Sequence, residues 1–188
     1  MGRPSMREKR RREILDAFAR VLASRGYAGA TVAAVATEAG IAPGLIHHYF
    51  ESKAELLSSL LRELLVRFRS RVAHYEEREG DALRAYVDGA LKLDARADRL
   101  AARCWVGILA EAVRDPAFFA QIRRLLDTEI QSIIRRSGNA LSDREASGVL
   151  AFVIGSLVLG AFAPRKTAGF AAPILLRMVA AMREHGPP

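Results

Sequence analysis

Apolar residues recur at helical spacing through almost the whole chain. Ile14, Leu15, Phe18, Val21 and Leu22 fall on one stripe, which predicts a first helix ending near Arg25 and Gly26, with Ser5 and Glu8 at capping-box spacing near its start. Thr31 suits the N-cap of a short second helix with Val32, Val35, Ala36 and Ala39 turned inward, and Gly40 suits its stop. Pro43 fits the first turn of a third helix, where its missing N–H costs nothing, and residues 44–49 continue that helix. Ser52 and Glu55 repeat the capping spacing before a long helix whose Leu56, Leu57, Leu60, Leu61, Leu64, Leu65, Phe68 and Val72 form a broad apolar stripe to about Glu76.

Helical segments are expected over residues 81–95, 98–114, 116–136, 142–163 and 170–184, joined by short connections, with residues 186–188 fraying. Ser142 and Glu145 form a further capping box, and Pro164 stops the apolar run that precedes it. No alternating run of β-branched residues is long enough for a strand, so the chain is expected to be all-α, with about nine helices.

Composition narrows the class. The 188 residues are 51% apolar, which excludes a disordered chain, and 29 Lys and Arg against 21 acids leave a net charge of +8. Six of those cations lie within the first twelve residues, so the N-terminal end is the expected polyanion-binding end. Cys104 is the single cysteine, which rules out an intramolecular disulfide framework and a Cys-rich zinc site. With no secretory h-region at the N-terminus, a cytoplasmic location is expected. Residues 146–164 carry no charge, yet a membrane span is disfavoured. A span needs about 20 predominantly apolar residues, and this stretch contains Ser147, Gly148, Gly155, Ser156 and Gly160. A buried helix with close helix–helix contacts is favoured, either inside one copy or between two.

Residues 31–53 carry the strongest functional signal. A Thr-started helix, Ala39-Gly40-Ile41 as a turn, Gly44 at the start of the next helix, Tyr49-Phe50 at its end and Ser52-Lys53 entering the fourth occur in that order. This order resembles the helix-turn-helix of the TetR family of transcriptional regulators. The stretch from Trp105 to Leu126, with Ala110-Glu111-Ala112 and Asp115-Pro116, is similar to the regulatory domain of the betaine-synthesis repressor branch of that family. The resemblance implies a three-helix DNA-binding domain over residues 1–51 and a helical ligand-binding and dimerisation domain over residues 52–188. It implies that Pro43, Gly44, Leu45 and His47 face the major groove of double-stranded DNA, that Thr31, His48 and Tyr49 reach phosphates, and that Lys53 neutralises one. Leu45 and His47 depart from the family's usual hydroxyl and tyrosine residues at these two positions. These departures leave base preference open; on the placement the resemblance implies, a thymine methyl suits Leu45 and a purine edge suits His47. Ile46 and Phe50 are expected to pack inward, and Arg3 and Arg7 to reach the DNA backbone or minor groove as basic arms do.

A regulator of this kind needs a releasing ligand. Phe68, Tyr86, Trp105, Glu111, Phe118, Phe119 and Phe152 are the candidate lining of a cavity for an unidentified small-molecule inducer, with plain core packing as the alternative for each aromatic. A carboxylate in apolar sequence singles out Glu111 as a counter-charge for a cation. Gly155, Ser156, Leu159 and Gly160, with Leu175, Met178 and Met182 on the last helix, are the candidate homodimer interface. His47 and His48 diverge by about 100° on a helix and have no third ligand at helical spacing, so a metal pair is disfavoured. Neither a catalytic constellation nor a cofactor is expected. The alternative to a sequence-specific regulator is a basic helical protein binding nucleic acid or an anionic membrane surface without sequence preference.

Overall fold

The computed structural model describes residues 6–92, 97–167 and 169–185. Arg3, Ser5 and residues 186–188 lie outside them, and so do the first capping box and the expected frayed end. Among the described residues the elements are nine α-helices and one 3-10 turn. These are α1 (Met6–Gly29), α2 (Val32–Ala39), α3 (Pro43–Tyr49), α4 (Lys53–Glu79), α5 (Ala82–Leu91), α6 (Ala97–Ala112), α7 (Pro116–Arg136), α8 (Asp143–Phe162), the turn Pro164–Lys166 and α9 (Ala171–His185).

Local chemistry accounts for most boundaries. The Thr31 hydroxyl accepts from Ala34 N–H at 3.1 Å, and Gly40 at φ 66° lets Ile41 N–H donate back to Ala36 at 3.0 Å, closing α2 at both ends. Asp81 and Asp115 cap α5 and α7, and the Ser142–Glu145 box at α8 is complete. Two expectations need correcting. Gly26, at φ 68° and ψ 177°, breaks the regular helix where a stop was expected, but a further turn carries α1 to Gly29. At α4, Ser52 accepts from Glu55 N–H, but the Glu55 carboxylate reaches the N–H of Glu51 at 2.7 Å, one residue before the cap.

Two apolar cores follow. The first joins Phe18 and Leu22 of α1, Val35 of α2, Ile46 of α3 and Leu56–Leu64 of α4 to Cys104 and Ile108 of α6 and Phe118 of α7. One core thus joins α1, α2 and α3 to α4, α6 and α7. Cys104 is fully buried with its thiol donating to the Ala19 carbonyl at 3.4 Å, and burial pushes the thiol up to about 12. The second core joins Val72 of α4 to α5, α7, α8 and α9. α8 is long and apolar enough to cross a membrane by length and composition, with a mean hydropathy of 1.8. Its Ala146, Val149, Leu150 and Val153 are buried in the second core instead.

The outer side of α8 and α9 remains apolar. Gly155 is exposed, Ser156 and Gly160 are half-buried, and Leu159 and Met178 are exposed, whereas Met182 packs partly against the core. Leu175 is only 1% exposed and belongs to the core stripe Ala171, Ala172, Leu175 and Val179, so its expected place in an intermolecular interface is corrected. A Cβ on Gly160 would meet Thr167 Oγ1 of the same chain at 3.2 Å, so its small size already serves an internal contact.

α4 and α5 approach closely at Gly89, where a Cβ would lie 2.8 Å from Val72 Cγ2 and 2.9 Å from the Val72 backbone. Gly89→Ala is expected to destabilise the fold by about 1–3 kcal/mol through overpacking. Urea unfolding checks this: the midpoint should fall with little change in slope, and a parental midpoint would mean the two helices separate there at no cost.

Candidate functional site

α2 and α3 meet through a three-residue connection, Gly40 to Ala42, and α3 divides cleanly into two sides. Ile46 and the following Phe50 are buried, while Pro43, Gly44, His47 and His48 are exposed and Leu45 and Tyr49 are half-buried. A Cβ on Gly44 would meet nothing within 4 Å, so packing inside the chain does not require glycine there. No side chain caps α3, whose first residue, Pro43, brings no N–H. The His48 ring stands edge-on to Tyr49 at 5.3 Å. Arg7, Lys9, Arg12 and Thr31 are also exposed. The Thr31 oxygen already accepts the capping N–H, which leaves its O–H free to donate outward. Among the described residues no group of three or more His, Cys, Asp or Glu is arranged to hold a metal ion.

Two cations of this unit are turned inward. Arg11 on α1 donates to the Tyr49 carbonyl at 2.5 Å, to Glu55 Oε1 at 2.9 Å and to Ser59 Oγ at 3.1 Å, and its guanidinium lies 4.0 Å above the Phe50 ring. One side chain thus fastens the end of α3 and the first two turns of α4 to α1. The Arg11 hydrogen bond, followed by the Glu51 N–H, holds the Glu55 carboxyl below the usual carboxylate range. Lys53 donates to the Tyr27 carbonyl at 2.9 Å and sits 4.1 Å over the Tyr27 ring, so its ammonium closes the end of α1 as well as lying beside the motif.

In the body, Phe68 of α4, Tyr86 of α5 and Trp105 of α6 line a cavity of about 90 Å³ between α4 and α8. That holds about six to nine water-sized groups at roughly 10–15 Å³ each. The other four candidates lie elsewhere. Phe118 is in the first core, Phe152 packs against the second, Phe119 is 52% exposed, and Glu111 lines an outer groove beside Tyr27. The carboxylate at the cavity is Glu129 of α7, only 8% exposed. It accepts from the Tyr86 hydroxyl at 3.4 Å and faces Arg69 at 3.7 Å. Desolvation first, then the charge of Glu129, drives the Tyr86 hydroxyl strongly upward, so it stays protonated as a donor. Sequence carried a signal for Glu129, which occupies the stripe Phe118, Ile122, Glu129 and Ile133 at buried helical phase.

Residues 14–60 match the sequence profile of the bacterial regulatory proteins of the tetR family. The HTH-type transcriptional regulator BetI of Stenotrophomonas maltophilia is 32% identical over 181 residues, covering 89% of this chain and 91% of that protein. The chain belongs to the TetR family. It is therefore a DNA-binding transcriptional regulator. A crystal structure of a transcriptional regulator from Rhodococcus sp. superposes with a TM-score of 0.78 at 24% identity, covering 91% of this chain and 96% of that one. A regulator from Saccharomonospora viridis in complex with choline superposes at 0.70 with 22% identity, covering 92% and 96%. The TetR architecture of an N-terminal helix-turn-helix followed by an all-helical body thus extends over nearly the whole chain.

Arg11→Met keeps the aliphatic stem and removes the clamp. Loss of charge-assisted hydrogen bonds is expected to cost about 1–3 kcal/mol of stability. Glu55 has a folded pKa below its unfolded value, so its contribution is full above the unfolded pKa and disappears as pH falls through the folded one. The variant should therefore lose less stability than the parent on acidification, as measured by urea midpoints across that range. DNA affinity should fall with an unchanged salt slope, and a slope smaller by about 1 would place Arg11 on a phosphate instead.

Proposed function

We propose that this chain is a homodimeric repressor that reads an inverted-repeat operator with α3 and releases it when a small organic cation enters the body cavity. The observation that carries the DNA-reading role is the two-sidedness of α3: Ile46 and Phe50 anchor it while Gly44, His47 and His48 stand clear. Gly44 has open space where a side chain would project, which suits close approach of a phosphate or base edge from outside. Pro43, Gly44, Leu45 and His47 face the major groove. Thr31, His48 and Tyr49 reach the backbone, with Arg7 and Arg3 as flanking cations. Lys53 neutralises a phosphate with the two donors that the Tyr27 carbonyl leaves free.

The second copy covers the outer side of α8 and α9. Gly155, Ser156, Leu159 and Met178 form its centre. Exposed apolar surface on a helix already packed on its other side favours a partner helix, and a twofold axis presents two α3 helices to two half-sites. Such a protein acts in the cytoplasm, where its DNA is.

The aromatic side of the cavity supports the proposed ligand class. Phe68, Tyr86 and Trp105 offer ring faces and Glu129 one buried carboxylate, a combination that suits a compact alkylated ammonium ion. Choline is such an ion, and the superposable Saccharomonospora regulator is a complex with it. α4 links the two sites, since it begins at the reading unit and carries Phe68 into the cavity wall.

Selection of bound sequences from random duplexes, with the dimer monitored by light scattering, tests the core of this reading. An inverted repeat is expected for the parent. Leu159→Glu should yield monomers that lose the repeat, and enrichment of no sequence would favour a non-specific basic protein.

Trp105 is the sole tryptophan and lies at the cavity, so its fluorescence reports choline directly. Glu129→Gln keeps a partner for Tyr86 but removes the charge, and is expected to weaken choline binding roughly tenfold or more. Equal affinity in parent and variant would assign the cation elsewhere.

A further inference from the structure

Between the end of α1, the middle of α6 and the end of α8 runs a second concavity of about 600 Å³, separate from the aromatic cavity. Leu22, Val106 and Phe162 give it an apolar surface. Arg25, Arg103 and Arg114 stand on its walls, all exposed and none with a side-chain partner among the described residues. Glu111 is the one acid among the described lining residues. Three unpaired guanidinium groups against one carboxylate give the groove a net positive field, and its apolar surface would favour more than a bare inorganic ion.

The groove also lies where the N-terminal unit meets the body, a preferred place for ligand sites. Gly107 of α6 lets Leu22 of α1 approach so closely that a Cβ would meet it at 3.1 Å. Gly26 breaks α1 at the rim with its left-handed φ of 68°. Tyr27 lines the groove, and its ring and carbonyl are held by Lys53, the first residue of α4 beside the recognition helix. A molecule seated against Tyr27 therefore bears on the contact that joins α1 to α4.

We propose that this groove binds an organic anion with an apolar body, of the medium-chain carboxylate class, and that its occupancy alters operator affinity through Tyr27 and Lys53. The carboxylate pairs with Arg103 and Arg114 on α6, and the chain lies over Leu22, Val106 and Phe162. This site is distinct from the cavity around Glu129, with which the described lining shares no residue.

Calorimetric titration of the full-length protein with octanoate, and with inorganic phosphate as the charge-only probe, tests the proposal. Saturable octanoate binding that exceeds phosphate binding is expected, together with an octanoate-dependent change in operator affinity. The double variant Arg103→Ala/Arg114→Ala should weaken octanoate binding roughly tenfold or more and abolish that change. Its ligand-free operator affinity and its Trp105 response to choline should match the parent. Unchanged octanoate binding in the double variant, or operator affinity indifferent to octanoate in the parent, would each overturn the proposal. An octanoate response in a protein that ignores choline would support the groove while counting against the cationic cavity.

Discussion

The placement of the recognition helix depends on one guanidinium. α3 is seven residues long, too short to hold itself together in water, and its apolar anchors are few. Arg11 supplies what the length cannot. It ties the terminal carbonyl at Tyr49, the carboxylate of Glu55 and the hydroxyl of Ser59 to a single point on α1, and covers Phe50 as it does so. Each partner is a fixed acceptor and the arginine fork is planar, so the three bonds constrain direction as well as distance. Orientation of an exposed helix face is what DNA reading requires, and this clamp fixes the C-terminal end of α3 against α1.

The same geometry explains why the clamp was hidden in the sequence. Arg11 stands in a run of basic residues that reads naturally as an arm for polyanions, and its partners are 38 to 48 positions away. Only its phase, three and four positions before the buried Ile14 and Leu15, sets it apart from Arg12. Thr31, Gly40, Pro43 and Ser142 were legible because a cap or a left-handed stop is decided within four residues. Glu129 and Leu175 form an intermediate class. Both sit at the inward phase of their helices, and following the stripes Ile122–Glu129–Ile133 and Ala171–Leu175–Val179 places one at the cavity and the other in the core. Composition, which drew attention to Glu111, is a poorer guide than phase. An adjacent pair makes the point: Phe118 is 7% exposed and Phe119 52%. A rotation of about 100° separates them.

α8 carries two demands that ordinarily conflict. One side fills the second core with Ala146, Val149, Leu150 and Val153, while the other remains apolar at Leu159 and Phe162. A helix apolar all round has the hydropathy of a membrane span, and composition alone does not separate the two cases. Glycines at 148 and 155 have open space around them, unlike Gly160, which already accommodates Thr167. Small residues that nothing inside the chain requires, aligned on the outer side of a packed helix, favour close approach by another helix.

α4 makes the placement of both cavities consequential. Lys53 at its first turn touches the end of α1, Glu55 and Ser59 receive Arg11, Phe68 lines the aromatic cavity, and Val72 enters the second core. From Lys53 to Phe68 the helix spans about 22 Å at 1.5 Å per residue. A rod of that length converts a small tilt at the cavity into a larger shift at its far end, and a dimeric reader is sensitive to such shifts because its two half-sites have fixed spacing. The aromatic cavity touches the rod on the body side through Phe68, while the outer groove meets it through Tyr27, which Lys53 holds at its tip. Two ligands of opposite charge working through one helix would be coupled energetically, and whatever factor one imposes on the affinity of the other is returned in equal measure.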